Sequence, residues 1–136
     1  MKKKTHSYKI KKSSSGLSGR VWISGEEETF LGYGRIILLE RIREYGSITK
    51  SAKSMEISYR HAWELVDSMN RQSSAPLVST VSGGKNGGGT QLTEEGEKAI
   101  KLFWQFYADF QDFLVKEEKK LGMSGLQKLT ANKEEK

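Results

Sequence analysis

Hydrophobic and polar residues alternate in two ways along this chain, and each way predicts a different element. Residues 17–23 alternate one by one, with the apolar side chains on one side, so this segment is predicted to be a strand. Residues 29–45 place apolar side chains three and four positions apart, which predicts a helix. The acidic run Glu26–Glu28 would lie at the positive end of that helix, and Gly46 would end it.

Two short helices are predicted next, on either side of a tight turn at Glu56 and Ile57. Ser47 is placed to cap the first and Ser58 the second. Their inward faces consist of Ile48, Ala52 and Met55 on the first and Ala62, Leu65, Val66 and Met69 on the second. The small alanines let the two helices cross closely. The N-terminal end of the second helix then stays exposed, as it does in the recognition helix of helix-turn-helix proteins.

A hairpin with a glycine-rich loop follows these helices. Leu77–Val81 is predicted to form one strand and Thr90–Leu92 the returning strand, with five glycines in the loop between them. Such a loop lets backbone N–H groups approach a phosphate, and Lys85 adds a positive charge. A hairpin tip without a ligand is the other interpretation. A P-loop is excluded, because Asn86 follows Lys85 where that motif requires Ser or Thr.

The last predicted helix begins near Thr93, carries acidic residues in its first turn and extends to about Leu121. It has two apolar stripes. The first consists of Gly96, Ile100, Phe103, Tyr107, Phe110, Leu114 and Leu121, and the second of Ala99, Leu102, Phe106 and Phe113. One small domain has little surface with which to cover so long a stripe. We therefore predict a dimer interface made by Ile100, Phe103, Tyr107, Phe110 and Leu114. Packing of this face on its own domain is the alternative.

Composition removes several classes of function. At 136 residues the chain suits one domain, and it has no cysteine and two histidines, which argues against disulfides and against Cys- or His-built metal sites. The charged N-terminus is not followed by an apolar run, so neither a signal peptide nor a membrane anchor is predicted and the protein is expected in the cytoplasm. We find no nucleophile–base pair and no cofactor loop. No catalytic residue, metal ligand or cofactor is predicted.

The net charge of +6 is concentrated at one end of the chain. Residues 1–20 contain seven basic residues and no acidic one. This segment is either a solvated leader or an arm that neutralises DNA phosphates, and the two interpretations are compatible. The predicted organisation is a basic disordered tail at 1–16, a folded domain at 17–121 and a flexible tail at 122–136.

The residues that carry a family resemblance are now in view. They are GRIILLERI at 34–42, ISYRHAW at 57–63, GGKNGGG at 83–89 and LTEEG at 92–96. Their order and spacing resemble the DNA-binding domain of ModE-type molybdate-responsive transcription regulators. The resemblance implies a mostly α fold with a small β-hairpin, namely a LysR-like winged helix-turn-helix with a long C-terminal dimerisation helix. It also implies double-stranded DNA as a partner and a role in molybdate or tungstate homeostasis. The family's oxyanion residues lie in C-terminal modules with no counterpart here, so none is carried over, and a separate oxyanion-sensing partner stays open.

The predicted DNA contacts come from the two short helices and the hairpin loop. They are Ser47, Thr49, Lys50, Ser58, Tyr59, Arg60, His61, Lys85 and Asn86. Arg60 is the strongest base-reading candidate, because a guanidinium binds guanine O6 and N7 together. Trp63 is expected to pack, and Tyr59 either contacts DNA or packs on Trp63. A homodimer would read a near-palindromic operator. A non-specific architectural DNA-binding protein and a protein-interaction module are the alternatives.

Overall fold

A computed structural model of the protein describes residues 16–84 and 87–122, without the side chains of residues 82–88. The predicted tails at 1–16 and 122–136 therefore lie outside the described residues, except for Gly16 and Gly122. The elements in chain order are β1 (Ile23–Ser24), β2 (Thr29–Leu31), α1 (Tyr33–Tyr45), α2 (Ile48–Met55), α3 (Tyr59–Gln72), β3 (Val78–Gly84), β4 (Gly87–Leu92) and α4 (Glu94–Leu121). This arrangement confirms the predicted winged helix-turn-helix with a long C-terminal helix.

The N-terminal part of the domain differs from the prediction in two ways. Only Ile23 and Ser24 form a strand, which pairs antiparallel with β2, whereas residues 17–22 lie outside any sheet. The Leu17 backbone N–H instead donates to Glu118 Oε2 of α4 at 3.2 Å. Helix α1 begins at Tyr33 after Gly32, and no acidic residue lies in its first turn. The predicted position of Glu26–Glu28 at a helix start is wrong, because these residues lie between β1 and β2.

The helix-turn-helix is built on the predicted caps. Gly46 ends α1 with a φ of 65°, a left-handed conformation that glycine adopts without strain. The Ser47 hydroxyl accepts the Lys50 N–H at the start of α2, and the Ser58 hydroxyl accepts the His61 N–H at the start of α3, both at 3.0 Å. Ala52 and Ala62 are almost completely buried, which permits the close crossing of α2 and α3. The predicted helix-turn-helix is therefore confirmed.

Strands β3 and β4 form the hairpin, which we call the wing. They are antiparallel, with Val78 opposite Leu92 and Thr80 opposite Thr90. Pairing continues through Gly84 and Gly87 after a register shift. The strands are thus longer than predicted, and the loop is correspondingly shorter. Lys85 and Asn86, the predicted contacts at the tip, lie outside the described residues.

Helix α4 packs against α1 with the face that was predicted to form a dimer. Ile100, Phe103 and Tyr107 are 4%, 0% and 8% exposed and belong to the core of this domain. The buried indole of Trp104 donates to Glu40 of α1 at 2.8 Å. These contacts correct the predicted interface for Ile100, Phe103 and Tyr107, because α1 already covers that face. Phe110 and Leu114 are half-buried.

The second apolar stripe of α4 faces outward instead. Leu102, Phe106 and Phe113 are 56%, 38% and 52% exposed. We call these three residues the outer stripe of α4. In the part of the chain that is described, no helix combines the length and apolar character needed to cross a membrane.

Candidate nucleic-acid interface

The N-terminal end of α3 projects from the domain. Tyr59, Arg60 and His61 are all exposed there, directly after the cap residue Ser58. The remainder of α3 anchors the helix, because Ala62, Val66 and Met69 are buried in the core. One end of the helix is therefore held rigidly while the other is available to enter a groove of DNA. This placement agrees with the sequence prediction for the four residues from Ser58 to His61.

Arg60 has an ion-pair partner on its own helix. Its Nε lies 3.2 Å from Glu64 Oε2, one turn further along, and the Arg60 side chain is 87% exposed. Exposed pairs of this kind contribute only about 0–1 kcal/mol. The guanidinium can therefore exchange Glu64 for a guanine edge at little cost, although Glu64 carries a charge that phosphates repel.

The start of α2 supplies a second group of the predicted contacts. Thr49 and Lys50 are exposed, and Ser47 is half-buried because its hydroxyl caps the helix. The backbone N–H groups at this end of α2, together with the Lys50 ammonium, suit a phosphate oxygen. Ser47, Thr49 and Lys50 therefore lie together at the start of α2, as the sequence prediction requires.

A groove of about 360 Å³ joins these two helix ends to the wing. Its described lining comes from the cap Ser47 with Ile48 and Thr49 of α2, from Tyr59 and Trp63 of α3, and from Thr80–Val81 and Gly89–Thr90 of the wing. This described lining includes neither Asp nor Glu. Three of the predicted contacts, Ser47, Thr49 and Tyr59, therefore share one concave surface that contains no carboxylate in its described part.

Trp63 is the residue that the sequence interpretation placed wrongly. It was expected to pack, but its side chain is 47% exposed and lines the groove beside Tyr59, which is 53% exposed. The signal was present in the sequence, since the two aromatic residues lie four positions apart and therefore share one face of a helix. Because that face is not the buried stripe of Ala62, Val66 and Met69, Trp63 points away from the core.

Hydrogen bonds hold the wing beside α3. The Asn70 side chain accepts the backbone N–H groups of Leu77 and Val78 at 2.8 and 3.2 Å and donates to the Val78 carbonyl at 2.9 Å. At the other strand, the Thr90 N–H donates to the Gly46 carbonyl at 3.1 Å. A β-carbon added at Gly89 would lie 3.2 Å from that same carbonyl oxygen. The width of the groove therefore depends on Asn70 and on the close approach of Gly89 to Gly46.

A polar cluster fixes the C-terminal half of α3 against the turn between β1 and β2. Gln72 donates to the Thr29 carbonyl at 3.1 Å and accepts the Glu27 and Glu28 N–H groups. The Ser68 hydroxyl donates to Glu28, and this hydrogen bond, with a smaller contribution from Arg35, holds the pKa of the Glu28 carboxyl below its usual value. The acidic run Glu26–Glu28, which was predicted to begin α1, thus helps to orient α3 instead.

Comparison with known proteins identifies relatives of the chain. It is 39% identical over 95 residues to the molybdenum transport protein ModE of Azotobacter vinelandii, covering 70% of this chain and 35% of that protein. It is 39% identical over 93 residues to the molybdenum-pterin-binding protein MopB of Rhodobacter capsulatus, covering 68% and 34%. It is 41% identical over 78 residues to the DNA-binding transcriptional dual regulator ModE of Escherichia coli, covering 57% and 30%.

These similarities confirm the resemblance to ModE-type regulators. The chain spans about a third of the length of the curated relatives it matches. No profile of a known protein family matches the chain.

Proposed function

We propose, from its relationship to ModE-type regulators, that this chain is a sequence-specific DNA-binding transcription regulator in molybdate or tungstate homeostasis. It binds a near-palindromic operator as a homodimer and acts in the cytoplasm, where the DNA is. The proposal includes no catalytic activity and no cofactor. The observation that carries it is the exposed N-terminal end of α3 beside a groove whose described lining contains no carboxylate.

In the proposed complex, α3 enters the major groove and the wing lies over the flanking backbone. Arg60 reads a guanine, and His61 contacts a neighbouring base or phosphate. Ser47, Thr49, Lys50 and Ser58 bind the DNA backbone through hydroxyl, ammonium and N–H groups. Lys85 and Asn86 are proposed to contact the flanking DNA from the wing.

The proposed dimer surface is the outer stripe of α4 together with Phe110 and Leu114. Leu102, Phe106 and Phe113 are spaced four and seven residues apart, so they form one continuous stripe along the helix. Leu121, which lies on the same side of the helix as Phe110 and Leu114, adds an exposed apolar side chain towards its C-terminal end. In the proposed dimer the two α3 helices enter major grooves that lie roughly 34–36 Å apart, or at a multiple of that distance.

The first test is fluorescence-anisotropy binding of the full chain to the gene's own upstream region and to a scrambled duplex, at several salt concentrations. A specific regulator should prefer its operator by about 10³-fold or more. Removal of residues 1–15 should weaken binding to both duplexes and leave the preference intact. Equal binding to both duplexes, lost with the tail, would instead identify an architectural DNA-binding protein. No binding to either would favour a protein-interaction module.

Arg60→Ala tests the proposed base contact. It should weaken operator binding by about 1–3 kcal/mol and relax the preference at one base pair, because a bidentate guanine contact is lost. Arg71→Ala is the matched control, since Arg71 lies at the other end of α3 and is also paired with an acidic residue four positions away, Asp67. An equal loss on every duplex would make Arg60 a phosphate contact.

Phe113→Glu tests the dimer surface by light scattering after size-exclusion chromatography. A carboxylate in the middle of an apolar interface should produce monomers, because the buried charge would have no partner. Lys116→Glu, which changes an exposed charge on the same helix, is the control and should stay dimeric. A dimeric Phe113→Glu protein would place the interface on another surface.

The proposal assigns no oxyanion site to the described residues. Molybdate or tungstate added to this chain alone is therefore expected to leave its operator affinity unchanged. A change in affinity would show that the chain itself senses the oxyanion, whereas an effect seen only with a second polypeptide would identify a separate sensing partner.

A further inference from the structure

The aromatic pair Tyr59 and Trp63 has no structural role in the core. Both rings are about half exposed, and within the described residues neither packs against another aromatic ring. They lie one turn apart on the face of α3 that lines the groove beside the wing. Large apolar side chains exposed together on a concave surface are typical of a binding site rather than of chance exposure.

The exposed N-terminal end of α3 therefore carries two separate stripes of side chains along its surface. Arg60 and Glu64 form one stripe and are paired with each other, and neither lines the groove. Tyr59 and Trp63 form the second stripe, rotated by roughly 100° about the helix axis. A helix that enters the major groove presents both stripes to base edges at different positions of the site. The charged stripe suits hydrogen bonding to a purine edge, and the aromatic stripe requires an apolar partner.

The major groove of DNA offers one apolar feature. Guanine, cytosine and adenine present hydrogen-bond donors and acceptors there, whereas thymine presents an acceptor together with its 5-methyl group. An indole face that loses water on entering the groove is matched by that methyl group and by no other base edge. Ile48 and Val81 lie in the same groove as the ring, so the methyl group would enter surroundings that are already apolar.

We propose that Trp63, with Tyr59 beside it, determines specificity for thymine by contact with the 5-methyl group. This inference rests on the proposed function, because it needs α3 in the major groove. The inference extends the proposed function, because α3 would then recognise two bases, a guanine through Arg60 and a thymine through Trp63. Tyr59 packs at the edge of the same methyl pocket, and its hydroxyl stays in contact with solvent or a phosphate.

The test uses deoxyuridine, which differs from thymidine only by the absence of the methyl group. The operator located by footprinting in the upstream region is synthesised with each thymidine replaced in turn, and binding is measured by fluorescence anisotropy. The wild-type protein should lose roughly fourfold in affinity at a contacted thymidine, the value of burying one methyl-sized group. Trp63→Ala should bind the thymidine and deoxyuridine operators equally at that position.

Three variants complete the experiment. Arg60→Ala should keep the sensitivity to the methyl group, because its stripe does not contact it. Trp63→Phe should keep most of the sensitivity, since an aromatic face remains. Trp63→Gln keeps a long side chain and removes the apolar face, so it should lose the sensitivity, and it replaces Trp63→Ala if circular dichroism shows that the alanine variant does not fold.

The outcomes separate the two proposals. A wild-type protein that does not prefer its operator to a scrambled duplex contradicts the proposed function, and the inference falls with it. A wild-type protein that is specific but indifferent to every thymidine-to-deoxyuridine exchange contradicts the inference alone. The inference is also overturned if Trp63→Ala and Trp63→Gln keep the full methyl sensitivity, or if they weaken binding to all duplexes equally, as the loss of a contact with the sugar–phosphate backbone would.

Discussion

Two helices of this domain expose aromatic side chains, and their surroundings differ. On α3, Tyr59 and Trp63 lie in a groove with hydroxyl and backbone groups and without a carboxylate in its described lining. On α4, Phe106 and Phe113 lie on a convex helix surface beside the exposed residues Asp109 and Asp112. The carboxylates of the second environment repel a polyanion such as DNA, whereas the described lining of the first contains no negative charge to do so. Exposed aromatic residues alone therefore do not indicate the partner, whereas the charges around them do.

The same comparison separates the two faces of α4. Its inner face packs on α1 through the contacts of Trp104 and Tyr107 with the Tyr33 ring and through the hydrogen bond from Trp104 to Glu40. Its outer stripe has no cover within the described residues. Both faces are apolar, but only the inner one contributes to the core of a single chain. Substitutions on the two faces should therefore differ in how their effects depend on protein concentration.

The largest expected effect is that of Phe103→Ala. Phe103 is completely buried, so the substitution should lower the free energy of unfolding by about 3–5 kcal/mol at any protein concentration. Phe106→Ala is the matched substitution on the outer stripe. In the monomer Phe106→Ala should lower the free energy of unfolding much less, and this loss should increase with protein concentration if the stripe forms a dimer. Urea unfolding of both variants at two protein concentrations measures the two losses. Equal losses that do not depend on concentration would contradict the distinction between the faces.

A smaller effect is expected where the wing meets α4. A β-carbon at Gly96 would overlap the Leu77 carbonyl oxygen and lie 2.6 Å from Leu92 Cδ1. Gly96→Ala should therefore lower the free energy of unfolding by about 1–3 kcal/mol, since backbone must move. Gly34→Ala is the control, because a β-carbon there meets nothing within 4 Å, and it should stabilise α1 by about 0.5–1 kcal/mol. Thermal unfolding of both variants checks this contact, and a Gly96→Ala protein of unchanged stability would contradict it.

The smallest effect concerns the support of α3 and depends on pH. The pKa of Glu28 is lowered in the folded state, chiefly by the Ser68 hydroxyl, from its ordinary value of 4.5. Its stabilising contribution is therefore fully present above pH 4.5 and is lost as the pH falls through the lower folded pKa. Ser68→Ala should reduce this acid sensitivity. The measurement is the difference in unfolding midpoint between neutral and acidic pH, compared between wild type and variant. An unchanged difference would show that the Ser68 hydrogen bond does not stabilise the Glu28 carboxylate.

Local signals in the sequence predicted most helix boundaries correctly. Helix α1 ends at Gly46 as expected, because that glycine adopts a left-handed conformation. Helices α2, α3 and α4 begin after Ser47, Ser58 and Thr93, whose hydroxyls each accept the backbone N–H three residues further on. The start of α1 was predicted wrongly. Thr29–Leu31 pairs with β1 instead of joining the helix, and no local signal reports a strand partner several residues upstream.

At the candidate site, too, local sequence predicted some features, while others depended on tertiary contacts. Exposure of Tyr59, Arg60 and His61 followed from the buried stripe of α3, because a helix that buries one face must expose the other. The orientation of Trp63 towards a groove did not follow, since it depends on how the wing, which forms the opposite wall, packs beside α3. Asn70 and Gly46 position that wall through hydrogen bonds that local spacing does not reveal.

The sequence by itself determined the helix-turn-helix, the glycine-rich wing, the length of α4 and the relationship to ModE-type regulators, because each depends on residues close together in the chain. Only the tertiary structure decided which stripe of α4 lies inside. Both stripes are apolar and helical in period, so hydrophobicity does not distinguish them. The choice depends on α1, whose Glu40 accepts the Trp104 indole N–H and whose Tyr33 ring contacts Trp104 and Tyr107. Burial of that face leaves Phe106 and Phe113 on the outer stripe of α4.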